Sequence, residues 1–238
     1  QGFHGLAAMA VFIAICLPAF GLAAVWKVPE PADHSRQRVT LLDGLKTMRA
    51  NRPFMRLIAA FFLNGLANGI PATLFLYFVS SVLRAEDYRG AFLFFYFACG
   101  IAGVPLALWV ARKVGKHRAW CLAMLLTCAA FAFAPLLGEG DLAAFALIAG
   151  LTGLTLGFDL SLPAAIQADV IDIDTLQSGE QRSGLYFSAW SLSTKLSLAL
   201  GVGLVFPVLQ FAGFDPQDAG NATPSALFTL AALYAWVP

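Results

Sequence analysis

Charged residues are scarce in this sequence. Asp, Glu, Lys and Arg make up 12% of its 238 residues, and hydrophobic residues make up 59%. Soluble domains carry about 25% charged residues. A chain with half that share has too few polar side chains to cover a water-exposed surface. The composition therefore excludes a soluble globular protein and predicts an integral membrane protein.

Patterns that would indicate an enzyme are also missing. The three histidines have no partner at metal-ligand spacing, and the four cysteines lie in apolar runs without metal or disulfide spacing. We find no phosphate-binding loop, nucleophile elbow or dinucleotide motif. The basic residues are not gathered on one face, and the net charge is +1. We therefore predict no catalysis, no resident cofactor and no nucleic-acid partner.

Long apolar runs dominate what is present. A membrane-crossing helix needs about 20 mostly apolar residues. The candidate spans are 3–26, 54–83, 90–111, 119–137, 142–168, 184–211 and 225–238. Twelve of the fifteen basic residues lie in or beside the connecting segments 27–53, 112–118 and 169–183. The positive-inside rule places these segments in the cytoplasm, so the first span runs inward.

The segment 27–53 is the best candidate boundary. It begins with VPEPADHSRQR, which predicts a flexible connector. Apolar residues then recur near helical spacing, at Leu41, Leu42, Leu45 and Met48. We expect a short helix there, lying on the inner membrane surface. The chain then divides into one helix at 1–26, a central cytoplasmic loop at 27–53, and a six-helix bundle at 54–238 whose last helix is cut short.

Two charged residues lie inside apolar spans. Lys195 is near the centre of the span 184–211, where a charge costs at least about 2.5–3.5 kcal/mol. Asp159 lies about 6 Å on the cytoplasmic side of the centre of its own span, at a depth similar to that of Lys195. We expect both to face one cavity, as an ion pair or as two walls of a binding site. A purely structural ion pair is the alternative.

Polar companions extend this candidate site. Asn64 and Asn68 stand four residues apart on one helix face, beside Pro71, and either line a cavity or bond to neighbouring helices. Trp190 would stack on a sugar ring or pack against lipid or protein. The predicted substrate-binding residues are Lys195, Asp159, Asn64, Asn68, Trp190 and Ser191.

The stretch ADVIDIDTLQSGEQRSGLYFSAWSLSTK at 168–195 resembles a family signature. It is similar to that of the glycoside–pentoside–hexuronide:cation symporters, the melibiose permease-like branch of the major facilitator superfamily. The residues that fit in order and spacing are Ala168, Asp169, Asp172, Gly179, Arg182, Gly184, Tyr186 and Lys195. ARKVGKHR at 111–118 and LKTMRANRPF at 45–54 are similar to two further segments of that family.

The resemblance implies an all-α membrane protein, namely span six, the central loop and the C-terminal half of a twelve-helix transporter. Its expected function is alternating-access symport of a sugar or glycoside with Na⁺ or H⁺ in a bacterial cytoplasmic membrane. The cation site would lie mostly in the absent N-terminal half, which is the expected partner. Lys195 would face the central cavity. The expected cytoplasmic gate comprises Asp169, Asp172, Arg182, Arg112 and Lys116.

Two alternatives stay open. Trp190 and Ser191 stand where melibiose permease has glutamine and threonine, so the sugar itself is open. A related transporter of another substrate, such as a lysolipid, is the first alternative, and an apolar groove between helices would favour it. A membrane sensor that does not transport is the second.

Overall fold

A computed structural model describes residues 2–27, 41–179, 182–215 and 222–238. Every regular element in these ranges is helical, which confirms the all-α class. The helices are α1 (Gly2–Lys27), α2 (Leu41–Ala50), α3 (Arg52–Tyr77), α4 (Arg89–Val114), α5 (Lys116–Phe131), α6 (Leu142–Ser178), α7 (Ser183–Phe211) and α8 (Pro224–Ala235). A π-helical turn, Phe78–Val82, directly continues α3. The connector predicted at the start of 27–53 falls mostly on residues 28–40, which lie outside the described residues. Glu180 and Gln181, from the stretch at 168–195, also lie outside them.

Six helices in these ranges are long and apolar enough to cross a membrane. Many of their apolar side chains point outward: Phe94, Ile101 and Leu147 are 77%, 76% and 65% exposed. Outward apolar surface of this kind is what lipid requires, and water would disfavour it. The seventh predicted span corresponds to α8, which has only 12 residues.

The chain divides into two compact units, Gln1–Arg38 and Val39–Pro238. The first contains α1, a helix of 26 residues with Pro18 inside it. The second contains α2 to α8. Within it, α4 packs closely against α6, and α3 packs against α7.

Small residues allow the closest of these contacts. A Cβ added to Gly157 of α6 would lie 2.3 Å from the carbonyl carbon of Gly103 and 2.4 Å from the amide nitrogen of Val104, both on α4. Only glycine fits here, because the backbones of the two helices touch. Such close approach is typical of helix pairs in membranes.

The buried apolar residues of the second unit form two clusters. In the predicted orientation one cluster lies toward the cytoplasm and the other toward the outside, and they are named accordingly. The cytoplasmic cluster includes Phe54, Trp120, Leu162 and Tyr186. The outer cluster is rich in aromatic rings; the rings of Phe78 and Tyr234, for example, stack with centroids 4.4 Å apart. The candidate site lies at the level between the two clusters.

The start predicted for the connecting segment 169–183 is wrong. Helix α6 runs for 37 residues and ends at Ser178, so Asp169, Asp172 and Asp174 are all helical. The helix continues because Val170 and Ile171 stay buried, each four residues after the buried Ile166 and Gln167. Gly179 ends it in the left-handed conformation, with φ of +70°.

The helix predicted in the central loop is present as α2, with a different contact surface. Met48 is buried in the cytoplasmic cluster, whereas Leu45 is exposed. Gly44 lies against Leu185 at the start of α7. At the junction that follows, the Asn51 side chain accepts a hydrogen bond from Phe54 N at 3.1 Å and donates one to the Tyr186 hydroxyl at 3.1 Å.

Candidate functional site

A recess of about 280 Å³ lies between α3, α4 and α6. In the predicted orientation it extends from the middle of the bundle toward the outer side. Most of its walls are apolar. Its lining residues are Asn68, Pro71, Ala72, Phe75, Leu76, Leu93, Tyr96, Phe97, Thr127, Phe131, Ala149, Thr152, Thr155, Leu156, Asp159 and Tyr234.

Asp159 stands at the inner end of this recess and holds two hydrogen bonds. Its Oδ1 accepts one from Trp120 Nε1 of α5 at 2.6 Å, and its Oδ2 accepts one from Asn68 Nδ2 of α3 at 3.1 Å. Asn64, one turn before Asn68, and Tyr96 of α4 also lie close to the carboxylate. Side chains from three helices therefore converge on one acid of a fourth.

The sequence of α3 explains how it reaches this acid. Gly65 and Gly69 contact Ser197 and Leu198 of α7. Each asparagine precedes one of these glycines, so both amides turn about 100° away from α7, toward α6. The spacing of four residues then stacks Asn64 and Asn68 along one face.

The expected pairing of Asp159 with Lys195 is absent. The ion pairs among the described residues join Lys116 to Asp169, Arg84 to Glu139 and Arg89 to Glu86. Asp159 is held by neutral donors instead. Lys195 is exposed, because α7 turns Ser193 and Ser197 into the bundle and Lys195 lies on the opposite side of the helix.

The threonine hydroxyls along the recess are already occupied. Thr152 Oγ1 donates to Ile148 O at 2.8 Å, and Thr155 Oγ1 donates to Thr152 O at 2.8 Å. Thr127 Oγ1 lies 2.6 Å from Thr155 Oγ1 and 3.0 Å from Ala123 O. Such bonds to the helix's own carbonyls are common for threonine. They leave few hydroxyl donors for a bound solute.

The other predicted substrate-binding residues lie elsewhere. The Trp190 ring stacks on Phe61 with centroids 3.6 Å apart and an interplanar angle of 22°, so a protein ring covers one of its faces. Ser191 is exposed on α7. Trp120 and Tyr96 were not predicted as site residues. The one available signal was a lone tyrosine inside the aromatic run FLFFYF at 92–97.

Two of the five predicted gate residues meet. Lys116 Nζ contacts both carboxylate oxygens of Asp169, at 2.7 and 2.6 Å, and donates to Ala165 O at 3.3 Å. This ion pair ties the start of α5 to the cytoplasmic part of α6. Arg112 and Asp172 are exposed and join none of the described ion pairs, and Arg182 lies just before α7.

These features define a class. A bundle of membrane-length helices, packed in close pairs around a recess with a half-buried acid, is the architecture of a membrane transporter domain. The chain belongs to the family described as MFS/sugar transport protein, whose model matches residues 2–238. The major facilitator fold predicted from the sequence is thereby confirmed.

Relatives extend the comparison. The chain is 27% identical to the uncharacterized symporter sll1374 of Synechocystis, over 82% of this chain and 36% of that protein. It is 24% identical to the sphingosine-1-phosphate transporter MFSD2B of Mus musculus, over 96% and 47%. It is 22% identical to the sodium-dependent lysophosphatidylcholine symporter 1-A of Danio rerio, over 83% and 38%. The chain thus spans less than half the length of these relatives.

Proposed function

We propose that this chain forms one wall of the substrate path of a secondary active transporter, and that the solute is an amphiphile such as a lysolipid. The recess carries this proposal. Its outer part is walled by Phe75, Leu76, Leu93 and Phe131, which suit a hydrocarbon chain. Its inner end holds the Asn68 amide and the Tyr96 hydroxyl, which suit a polar head group.

A sugar fits the same surface less well. A sugar presents several hydroxyls, each of which needs a partner once it leaves water. The threonine hydroxyls of the recess already bond to their own helices or to each other. The Trp190 ring, which was expected to stack on a sugar, is stacked on Phe61. The sugar implied by the family resemblance therefore becomes the comparison substrate.

The relatives point in the same direction. Two of the three named above are described as transporters of sphingosine-1-phosphate or lysophosphatidylcholine. Both of these substrates join a polar head to one long apolar chain. The proposed setting is a bacterial cytoplasmic membrane, with transport by rocking of two half-transporters around a midplane site.

Counterflow in proteoliposomes tests this proposal. Vesicles that contain the full-length protein are loaded with unlabelled lysophosphatidylcholine or unlabelled melibiose, and entry of the matching labelled compound is followed. We expect protein-dependent counterflow of the lysolipid and none of the sugar. Counterflow of melibiose alone would restore the sugar assignment, and counterflow of neither would refute both.

A further inference from the structure

The feature that the proposed function leaves unexplained is the isolated charge of Asp159. The described groups close to it are Asn64 and Asn68 from α3, Tyr96 from α4 and Trp120 from α5. Cys128 of α5 and Tyr234 of α8 line a recess together with it. Of these, only the two phenols and the thiol can titrate, and none is a base. No residue of α7 lines the recess.

A negative charge at this depth needs a counter-charge. A metal ion would need several oxygen ligands around the carboxylate. In the described part of the chain both carboxylate oxygens face N–H donors, and no cluster of His, Cys, Asp or Glu fits a metal. A proton requires no further ligand, because it bonds directly to a carboxylate oxygen.

We propose that Asp159 carries a co-transported proton, so that this half of the transporter holds its own coupling site. The inference rests on the proposed transport function. The proton comes from water on the outer side, bonds to a carboxylate oxygen of Asp159, and leaves to the cytoplasm with the solute. Asp159 is neutral while it is loaded and negative after release.

The geometry links this proton to helix movement. Trp120 holds Oδ1 at 2.6 Å, and the longer contact, 3.1 Å, joins Oδ2 to Asn68 on α3. A proton on Oδ2 meets the Asn68 N–H head-on and weakens that contact, while the Trp120 bond persists. The Asn68–Asp159 contact crosses the recess between α3 and α6, so protonation loosens the tie between the two walls at the inner end.

The neutral variant Asp159→Asn tests the proposal, because an amide mimics the protonated carboxyl but releases no proton. The full-length protein is placed in vesicles with a pH-sensitive dye inside, and labelled lysophosphatidylcholine is added under an inward proton gradient. For the unaltered protein we expect substrate-dependent internal acidification and gradient-driven uptake. For Asp159→Asn we expect both to fall at least 10-fold, with lysolipid exchange kept within about threefold.

Asp141→Asn is the matched control, because it removes an acid from the residue just before α6, outside the apolar stretch. Coupled uptake should be unchanged in this variant. Asp159→Glu, which restores an acid, should recover acidification at a reduced rate. Loss of lysolipid exchange in a stably inserted Asp159→Asn protein would overturn the proposal and assign the acid to substrate binding.

Two further results would also overturn it. One is uptake by the unaltered protein that follows a Na⁺ gradient without proton movement. The other is intact acidification in Asp159→Asn.

If Asp159→Asn fails to insert, Trp120→Phe serves instead. Trp120→Phe removes the N–H that stabilises the ionised carboxylate of Asp159, so the pH of half-maximal coupled uptake should rise. An unchanged pH profile would contradict the proposal. Failure of the proposed function itself is distinct, since the unaltered protein would then show no lysolipid exchange.

Discussion

Trp120 and Asp159 lie on neighbouring helices, and the indole Nε1 donates to Oδ1 of the carboxylate at 2.6 Å. This bond fixes the acid at the level between the two apolar clusters. It also fills one of the acid's two acceptor oxygens, so the face that remains toward the recess is the one bonded to Asn68. The carboxylate therefore has one oxygen held by Trp120 and one oxygen, bonded to Asn68, whose contact can change.

A double-mutant cycle measures the hydrogen bond between Trp120 and Asp159. A hydrogen bond to a charged group is worth about 1.5–3 kcal/mol. Trp120→Phe and Asp159→Leu, which removes both acceptor oxygens, should each lower the thermal stability of the detergent-solubilised protein. The double variant should lose at least about 1 kcal/mol less free energy of unfolding than the sum of the losses of the two single variants. Trp109→Phe, at a largely exposed tryptophan on α4, is the control and should be nearly neutral. Strict additivity of Trp120→Phe and Asp159→Leu would contradict the assigned bond.

The α4–α6 contact makes a second prediction. Gly157→Ala places a methyl 2.3 Å from the backbone of Gly103, so the helices must separate. We expect a loss of about 1–3 kcal/mol or more, seen as a lower melting temperature and less folded protein. Gly203→Ala on α7 has no heavy atom within 4 Å of its new methyl and should change stability by less than about 0.5 kcal/mol. Equal effects of the two substitutions would argue against the close packing.

The third prediction concerns the ion pair between Lys116 and Asp169. Both side chains are about half exposed, at 40% and 54%, so the pair should contribute at most about 1 kcal/mol to stability. Asp169→Lys should slow transport with little change in apparent substrate affinity, if the pair belongs to a cytoplasmic gate. The swap Lys116→Asp with Asp169→Lys should recover part of the rate, and Asp87→Lys on the outer side should have no effect. A loss of affinity at unchanged rate would remove the gating role.

The fourth prediction concerns the hydrogen bond from Asn51 to the Tyr186 hydroxyl. Asn51 both caps α3 and donates to the buried Tyr186 hydroxyl, so Asn51→Ala loses two interactions while Tyr186→Phe loses one. A lost helix cap costs about 1 kcal/mol, and a lost hydrogen bond costs a similar amount. Asn51→Ala should therefore lower the melting temperature more than Tyr186→Phe. The reverse order would show that the cap contributes little here.

Much of the fold was predictable, because membrane helices are recognised in a sequence by the length and composition of their apolar runs. The spans at 54–83, 90–111 and 184–211 match α3, α4 and α7 to within a few residues. The end of α6 was mispredicted, because the charges at Asp169, Asp172 and Asp174 look like a loop. The apolar residues Val170 and Ile171 keep the helix packed past the apparent membrane boundary.

The site was predictable in part. Asp159, Asn64 and Asn68 were each conspicuous as polar residues in apolar spans, and the structure brings them together. Trp120 carries no such signal, and Tyr96 stands out only as the lone tyrosine of an aromatic run, since aromatic residues are common in membrane helices. Lys195 was expected beside Asp159 from depth alone. Depth does not fix the direction in which a side chain points, and the rotation of α7 turns Lys195 to the other side.

Filling the recess tests the central claim most directly. Ala72 lines the recess on α3, whereas Ala59 is an exposed alanine of the same helix outside it. Lysophosphatidylcholine counterflow is measured for full-length Ala72→Trp and Ala59→Trp at equal protein levels. The account predicts at least a 10-fold loss for Ala72→Trp and near-normal counterflow for Ala59→Trp. Unchanged counterflow in Ala72→Trp would show that the solute does not pass along this wall.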